Sequence, residues 1–147
     1  MRGKRLVFIA ASILLAAFVA TILAREAETA SDASPAISRL AVVWTSSDPE
    51  VAHRVCLMYT HAAKKNDWFD EVRLVVWGPS ARLLAADKDL QAKVKAMMAD
   101  GVNVQACVVC ADSYGVTESL RGLGIEVKPM GPPLTEFLQS DHDVLTF

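Results

Sequence analysis

From Arg39 onward the chain alternates short apolar runs with stretches in which apolar residues recur every three or four positions. Residues 40–45 (LAVVWT), 72–77 (VRLVVW) and 102–107 (VNVQAC) have the length and β-branched content of strands. Residues 125–127 and the terminal 144–147 supply two shorter ones. After the first run, Asp48 suits a helix N-cap and Pro49 the first helical position, where a missing N–H costs nothing. Val51, Val55, Met58, Tyr59 and Ala62 follow at helical spacing, and Lys64-Lys65-Asn66 closes the helix with charge that its dipole favours. Residues 83–98 predict a second helix, ended by Asp100-Gly101. A third begins near Val108, breaks at Gly115 and resumes over 117–123, and 133–139 predict the last. Strands separated by helical crossovers imply an α/β fold: three α/β/α layers, with helices on both faces of a mostly parallel five-stranded sheet.

Upstream the pattern changes. Residues 6–24 (LVFIAASILLAAFVATILA) carry no charge, and only Ser12 and Thr21 are polar. As a helix this run would be about 28 Å long, close to the ~30 Å hydrocarbon core of a bilayer. It has no polar side, which argues against a buried core helix. Arg2, Lys4 and Arg5 precede it, so that end stays cytoplasmic and the rest of the chain is expected on the extracytoplasmic side. The run is longer than the about 7–15 apolar residues of a signal peptide, and cuts after Ala24 or Ala30 would put Ile22 or Glu28 two residues before the cleaved one. Residues 1–24 are therefore expected to be a single-span anchor holding the membrane through residues 6–24, with a cleaved signal peptide as the alternative. Residues 25–38 (REAETASDASPAIS) have neither period and read as a flexible tether, leaving 39–147 as the folded domain.

Composition narrows the function classes. A chain of 147 residues suits one domain. The formal net charge of -2 hides an asymmetry: the first 25 residues hold four basic groups and no acid, whereas residues 36–147 hold eleven basic and fourteen acidic side chains. That body lacks the basic stripe a nucleic-acid binder needs, and no nucleic-acid partner is expected. Three cysteines are too few for a disulfide scaffold.

In open α/β sheets the chemistry gathers beyond the carboxyl ends of the strands. Of those ends, only the one at Cys107-Val108-Val109-Cys110 offers a thiol nucleophile. The Cys-x-x-Cys spacing brings both sulfurs to one side of a helical turn, and the free N–H groups at a helix start favour thiolate. Such a thiolate can attack a disulfide or persulfide, and its neighbour can resolve the mixed intermediate. The competing reading makes Cys107 and Cys110 small buried hydrophobes beside Val108 and Val109. Val-Val between the cysteines is not a thioredoxin pair, and two thiolates fall short of the four ligands zinc normally takes. His53 and Cys56 stand three apart on the first helix, but Cys56 shares an apolar face with Ala52, Tyr59 and Ala63 and is expected to pack in the core. No metal and no cofactor are expected. Trp44 and Trp77 read as sheet packing, Ser46 and Ser47 as turn formers, and Gly122 and Gly124 as helix stops. Gly78-Pro79-Ser80 lacks the spacing and the lysine of a phosphate loop.

Five segments recur in a familiar order. They are the Trp77-Gly78-Pro79-Ser80 turn with Leu83-Leu84, the step from Asp100-Gly101-Val102 into Ala106-Cys107, then Gly115-Val116, Leu123-Gly124-Ile125-Glu126-Val127, and Leu134-Thr135-Glu136-Phe137-Leu138. In this order and spacing they resemble the DsrE/DsrF-like family of small α/β sulfur-handling proteins, over nearly all of residues 39–147. The resemblance implies a flavodoxin-like three-layer fold, homo-oligomers, and transfer of sulfane sulfur as a cysteine persulfide between donor and acceptor proteins. The family's functional cysteine lies eight residues before a helix-ending glycine; Cys107 and Gly115 stand in that relation, so Cys107 matches it and Cys110 does not. The chain departs from the cytoplasmic carriers of the family in its export segment and in Cys110, which offers an internal disulfide. The leading expectation is thus an extracytoplasmic, sulfurtransferase-like persulfide carrier in which Cys107 takes up sulfur and Cys110 releases it. A thiol–disulfide oxidoreductase using the same pair, or a non-enzymatic binding or assembly module, are the alternatives.

Overall fold

The structure, a computed structural model, describes residues 37–147. The expected anchor and all but the end of the tether lie outside them. Among the described residues no helix is long and apolar enough to cross a membrane.

Strand β1 (Arg39–Trp44) leads to Asp48, whose carboxylate accepts the backbone N–H groups of Glu50 and Val51 and so starts helix α1. α1 runs on through Pro49–Val51, a π-helical segment Ala52–Cys56, and Leu57–Lys65. Where the bonding pattern changes back, the Thr60 hydroxyl donates to the Cys56 carbonyl at 2.7 Å. The wide π turn lets Cys56 and its neighbour Leu57 both enter the core. Ala52, Cys56 and Ala63 meet the core as their shared apolar face predicts, joined by Leu57 and Thr60, while Val55 and Met58 of the apolar spacing are 43% and 55% exposed.

β2 (Glu71–Val76) is followed by two helices where the spacing predicts one, α2 (Pro79–Ala86) and α3 (Lys88–Ala99). Asp87 is the reason: it takes an extended conformation and its carboxylate accepts the N–H groups of Asp89 and Leu90. The Gln91 amide then reaches back to the Leu84 and Ala85 carbonyls that the break leaves open. β3 (Asn103–Cys107), α4 (Val108–Ser113), α5 (Thr117–Gly122) and β4 (Glu126–Lys128) fall close to their expected places. α6 (Gly131–Gln139) and β5 (His142–Thr146) each begin two residues earlier than the pattern suggests.

All strands pair in parallel in the order β4-β3-β2-β1-β5. The fold is a three-layer α/β domain. The chain steps from β1 to β4 in one direction, so right-handed crossovers place α1 to α5 on one face. There Leu40, Val42, Trp44, Leu74, Val76, Leu84, Leu90, Val94 and Leu120 form the main core. The last crossover steps back past the whole sheet and lays α6 on the opposite face, where Phe137 and Leu134 meet Ala41, Val75, Cys107, Met130 and Val144. Both faces are covered, as expected, but unequally. The α6 face is apolar toward the carboxyl ends and charged toward the amino ends, where the Arg73 guanidinium lies 5.6 Å from the Phe137 ring centroid.

Two stability predictions follow from the core. Leu74→Ala should cost about 2–5 kcal/mol in urea unfolding, whereas Met58→Ala should stay within about 0.5 kcal/mol; the reverse order would invert the assignment of buried faces. Burial pushes the Cys56 thiol from 9.0 to about 12. A raised thiol pKa favours folding fully below the unfolded value, so this contribution should fade as pH climbs from about 9 toward 12. The stability gap between wild type and Cys56→Ala should narrow over that window.

Candidate functional site

The connections that leave β3 and β4 diverge, α4 to one face and α6 to the other. Neighbouring strands with diverging connections open a crevice at their carboxyl ends, the usual ligand position in such sheets. Cys107 occupies this crevice as the last residue of β3 and the N-cap of α4. Met130, the N-cap of α6, closes it from the β4 side. Cys110 lies one turn into α4, and both thiols are free. The structure therefore brings the two sequence-derived thiols together in the crevice between β3 and β4.

Cys107 is 4% exposed, which by itself would hold its thiol protonated. Burial does push its pKa up, but the backbone N–H of Cys110, the Cys110 thiol, and the N–H groups of Met130 and Val109 all favour the thiolate. The donors win, and the Cys107 thiol sits below its ordinary range. Cys110 is shifted the opposite way. Burial raises it, the Gly78 N–H lowers it only in part, and the neighbouring Cys107 sulfur raises it further. The pair is asymmetric: Cys107 gives up its proton more readily than an ordinary thiol and Cys110 less readily. α4 has only six residues, so the stabilisation comes from nearby N–H groups rather than from a long helix dipole.

The Gly78-Pro79-Ser80 turn, no phosphate loop, frames this pair. The buried Ser80 hydroxyl donates to the Trp44 carbonyl at 2.6 Å and accepts the Trp77 N–H at 3.1 Å, locking the ends of β1 and β2 together. Gly78 adopts φ +68, a conformation side chains rarely take, and this turn directs its N–H to Cys110. Trp44 is sheet packing, fully buried under the helix-bearing face. Trp77 packs on the sheet too, half-buried on the other face, in the apolar cluster that holds Cys107, Met130 and Leu134.

The remaining candidates lie elsewhere. Cys56 is core, and His53 faces Asp87 at 4.0 Å while His61 binds Asp100 at 2.6 Å and His142 pairs with Ser140 at 2.9 Å. Among the described residues no three His, Cys, Asp or Glu side chains cluster as metal ligands. Ser46 accepts the Asp48 N–H as a turn residue. Sequence reasoning missed the donors from Gly78 and Met130. Both positions stand out as strand-end turns, but nothing in their side chains marks a backbone N–H aimed at a sulfur.

This arrangement is a parallel α/β sheet of order β4-β3-β2-β1-β5 with a thiol ending its third strand. The chain belongs to the DsrE/DsrF-like family, whose sequence profile matches residues 38–147. Among solved structures it is similar to BT1422, a conserved protein of unknown function from Bacteroides thetaiotaomicron, with 30% identity and a TM-score of 0.72 over 75% of this chain and 95% of that one. It shares the fold of the ychN protein from E. coli, with 19% identity and a TM-score of 0.58 over 76% of this chain and all of the other, 100%. None of the curated proteins matches the chain.

Thiol asymmetry makes a direct prediction. With iodoacetamide at rising pH, Cys107 should be alkylated with a midpoint below the ordinary thiol range and below that of Cys110, because only the thiolate reacts. Cys110→Ala removes one donor and should move the Cys107 midpoint upward. A midpoint unmoved by that change would show that the Cys110 thiol does not support the Cys107 thiolate.

Proposed function

We propose that the domain carries sulfane sulfur on Cys107 and releases it with the help of Cys110. The observation that supports this most is the unequal thiol pair, one sulfur made more acidic by four nearby donors and the other made less acidic beside it. In loading, the Cys107 thiolate attacks the outer sulfur of a persulfide R–S–SH. The donor S–S bond breaks, R–S⁻ leaves, and the proton stays with the new persulfide. In release, the Cys110 proton passes to solvent and its thiolate attacks the Cys107 Sγ. A Cys107–Cys110 disulfide forms, hydrosulfide departs, and an external dithiol must reduce the disulfide before the next cycle. Membership of a sulfur-handling family supports the same reading. With residues 6–24 read as an anchor, the site would work on the extracytoplasmic side of a membrane.

The same asymmetry favours a second reading, a thiol–disulfide oxidoreductase, since a low-pKa attacking thiol and a protonated resolving thiol are what disulfide exchange needs. The two readings separate in one experiment. Exposed to polysulfide or thiosulfate, wild-type protein should gain one sulfur atom on Cys107 by peptide mass, and Cys107→Ser should gain none. Cys110→Ser should keep that persulfide at least about tenfold longer, since its exit through the internal disulfide is gone. Absence of any sulfur adduct, together with rapid electron exchange with dithiols, would replace the carrier reading by the oxidoreductase.

A further inference from the structure

A lysine stands beside Cys107 in the sheet. Lys128, the last residue of β4, is its register partner, so both side chains leave the same face from backbones about 4.8 Å apart. The next pair down the ladder on that face is Gln105 and Glu126. Glu126 gathers two donors there, the Gln105 amide at 2.6 Å and the Lys128 ammonium at 2.9 Å. The ammonium is thus drawn back along β4, away from the sulfur, on a side chain still 34% exposed. Beyond Lys128 the chain turns through Pro129 to Met130, whose N–H points at the Cys107 sulfur. Backbone on both sides of Lys128 is therefore tied to this corner, and its flexible four-carbon stem is the part free to turn.

We propose that Lys128 is the anion-binding residue of the Cys107 site, and that the sulfur donor is a small anionic compound of the thiosulfate class. The ammonium turns from Glu126 to the incoming anion, guides its outer sulfur to the Cys107 thiolate, and returns to Glu126 when the anionic leaving group departs. In that step Cys107 Sγ bonds the outer sulfur, the S–S bond of thiosulfate breaks, and sulfite leaves with the bonding electron pair; no proton moves. Glu126 is the resting partner that keeps the lysine from pairing permanently with the thiolate. The donor class rests on the persulfide reading of Cys107; the charge effect of Lys128 does not.

Iodoacetate and iodoacetamide alkylate by the same chemistry and differ by one negative charge, so their rate ratio at Cys107 reads the local cation. In the full-length protein at low salt, Lys128→Gln should lower that ratio by about three- to tenfold. Lys128→Arg should keep it, and Glu126→Gln, which frees the ammonium, should raise it. An unchanged ratio in Lys128→Gln overturns the assignment, as does a wild-type Cys107 that reacts with neither reagent. If the ratio behaves as expected but polysulfide loads Cys107 and thiosulfate does not, the donor class falls while the persulfide reading and the anion-binding role stand; if neither loads it, the persulfide reading falls as well and the anion-binding role stands.

Discussion

A crossover between parallel strands is right-handed, so the direction in which the chain steps across the sheet decides which face receives the connecting helix. Here the steps from β1 to β4 run one way and the return to β5 runs the other. That single reversal assigns five helices to one face and α6 alone to the other, and it parts the connections after β3 and β4. The crevice at Cys107 is its direct consequence. A β5 added beyond β4 would have kept α6 on the crowded face, and Met130 would not have turned over the sulfur.

The site then works by an imbalance of local forces. Apolar neighbours, Trp77, Leu134 and Met130, exclude water and by themselves favour neutral thiols. Backbone N–H groups from three different loops oppose them at the sulfurs, and the contest resolves differently for Cys107 and Cys110. The Ser80 hydroxyl, with no contact to either sulfur among its hydrogen bonds, holds the β1 and β2 ends in register and so fixes where Gly78 points.

Local signals in the chain were read well where they are self-contained. Asp48-Pro49 starts a helix because capping needs only the next few residues, and Gly115 breaks one because φ +66 suits glycine. They misled where a neighbour decides. The apolar spacing of α1 takes in Val55 and Met58, which lie outside the core, while a π turn lets Leu57 follow Cys56 inward. One predicted helix became two because Asp87 caps more strongly than it continues, and Gln91 repairs the broken end.

By itself the sequence determined the α/β class, the strand–helix order, the family and the two thiols, because hydrophobic period, turn residues and a short motif are properties of adjacent positions. Only the tertiary structure decided what stands around each thiol and that the two are shifted in opposite directions. Gly78 and Met130 are distant from the thiols along the chain, and reach Cys110 and Cys107 only through parallel pairing and the reversed crossover, just as Lys128 comes to stand beside Cys107 only by register. A backbone N–H carries no residue identity. Its power to hold a thiolate comes wholly from where the fold aims it.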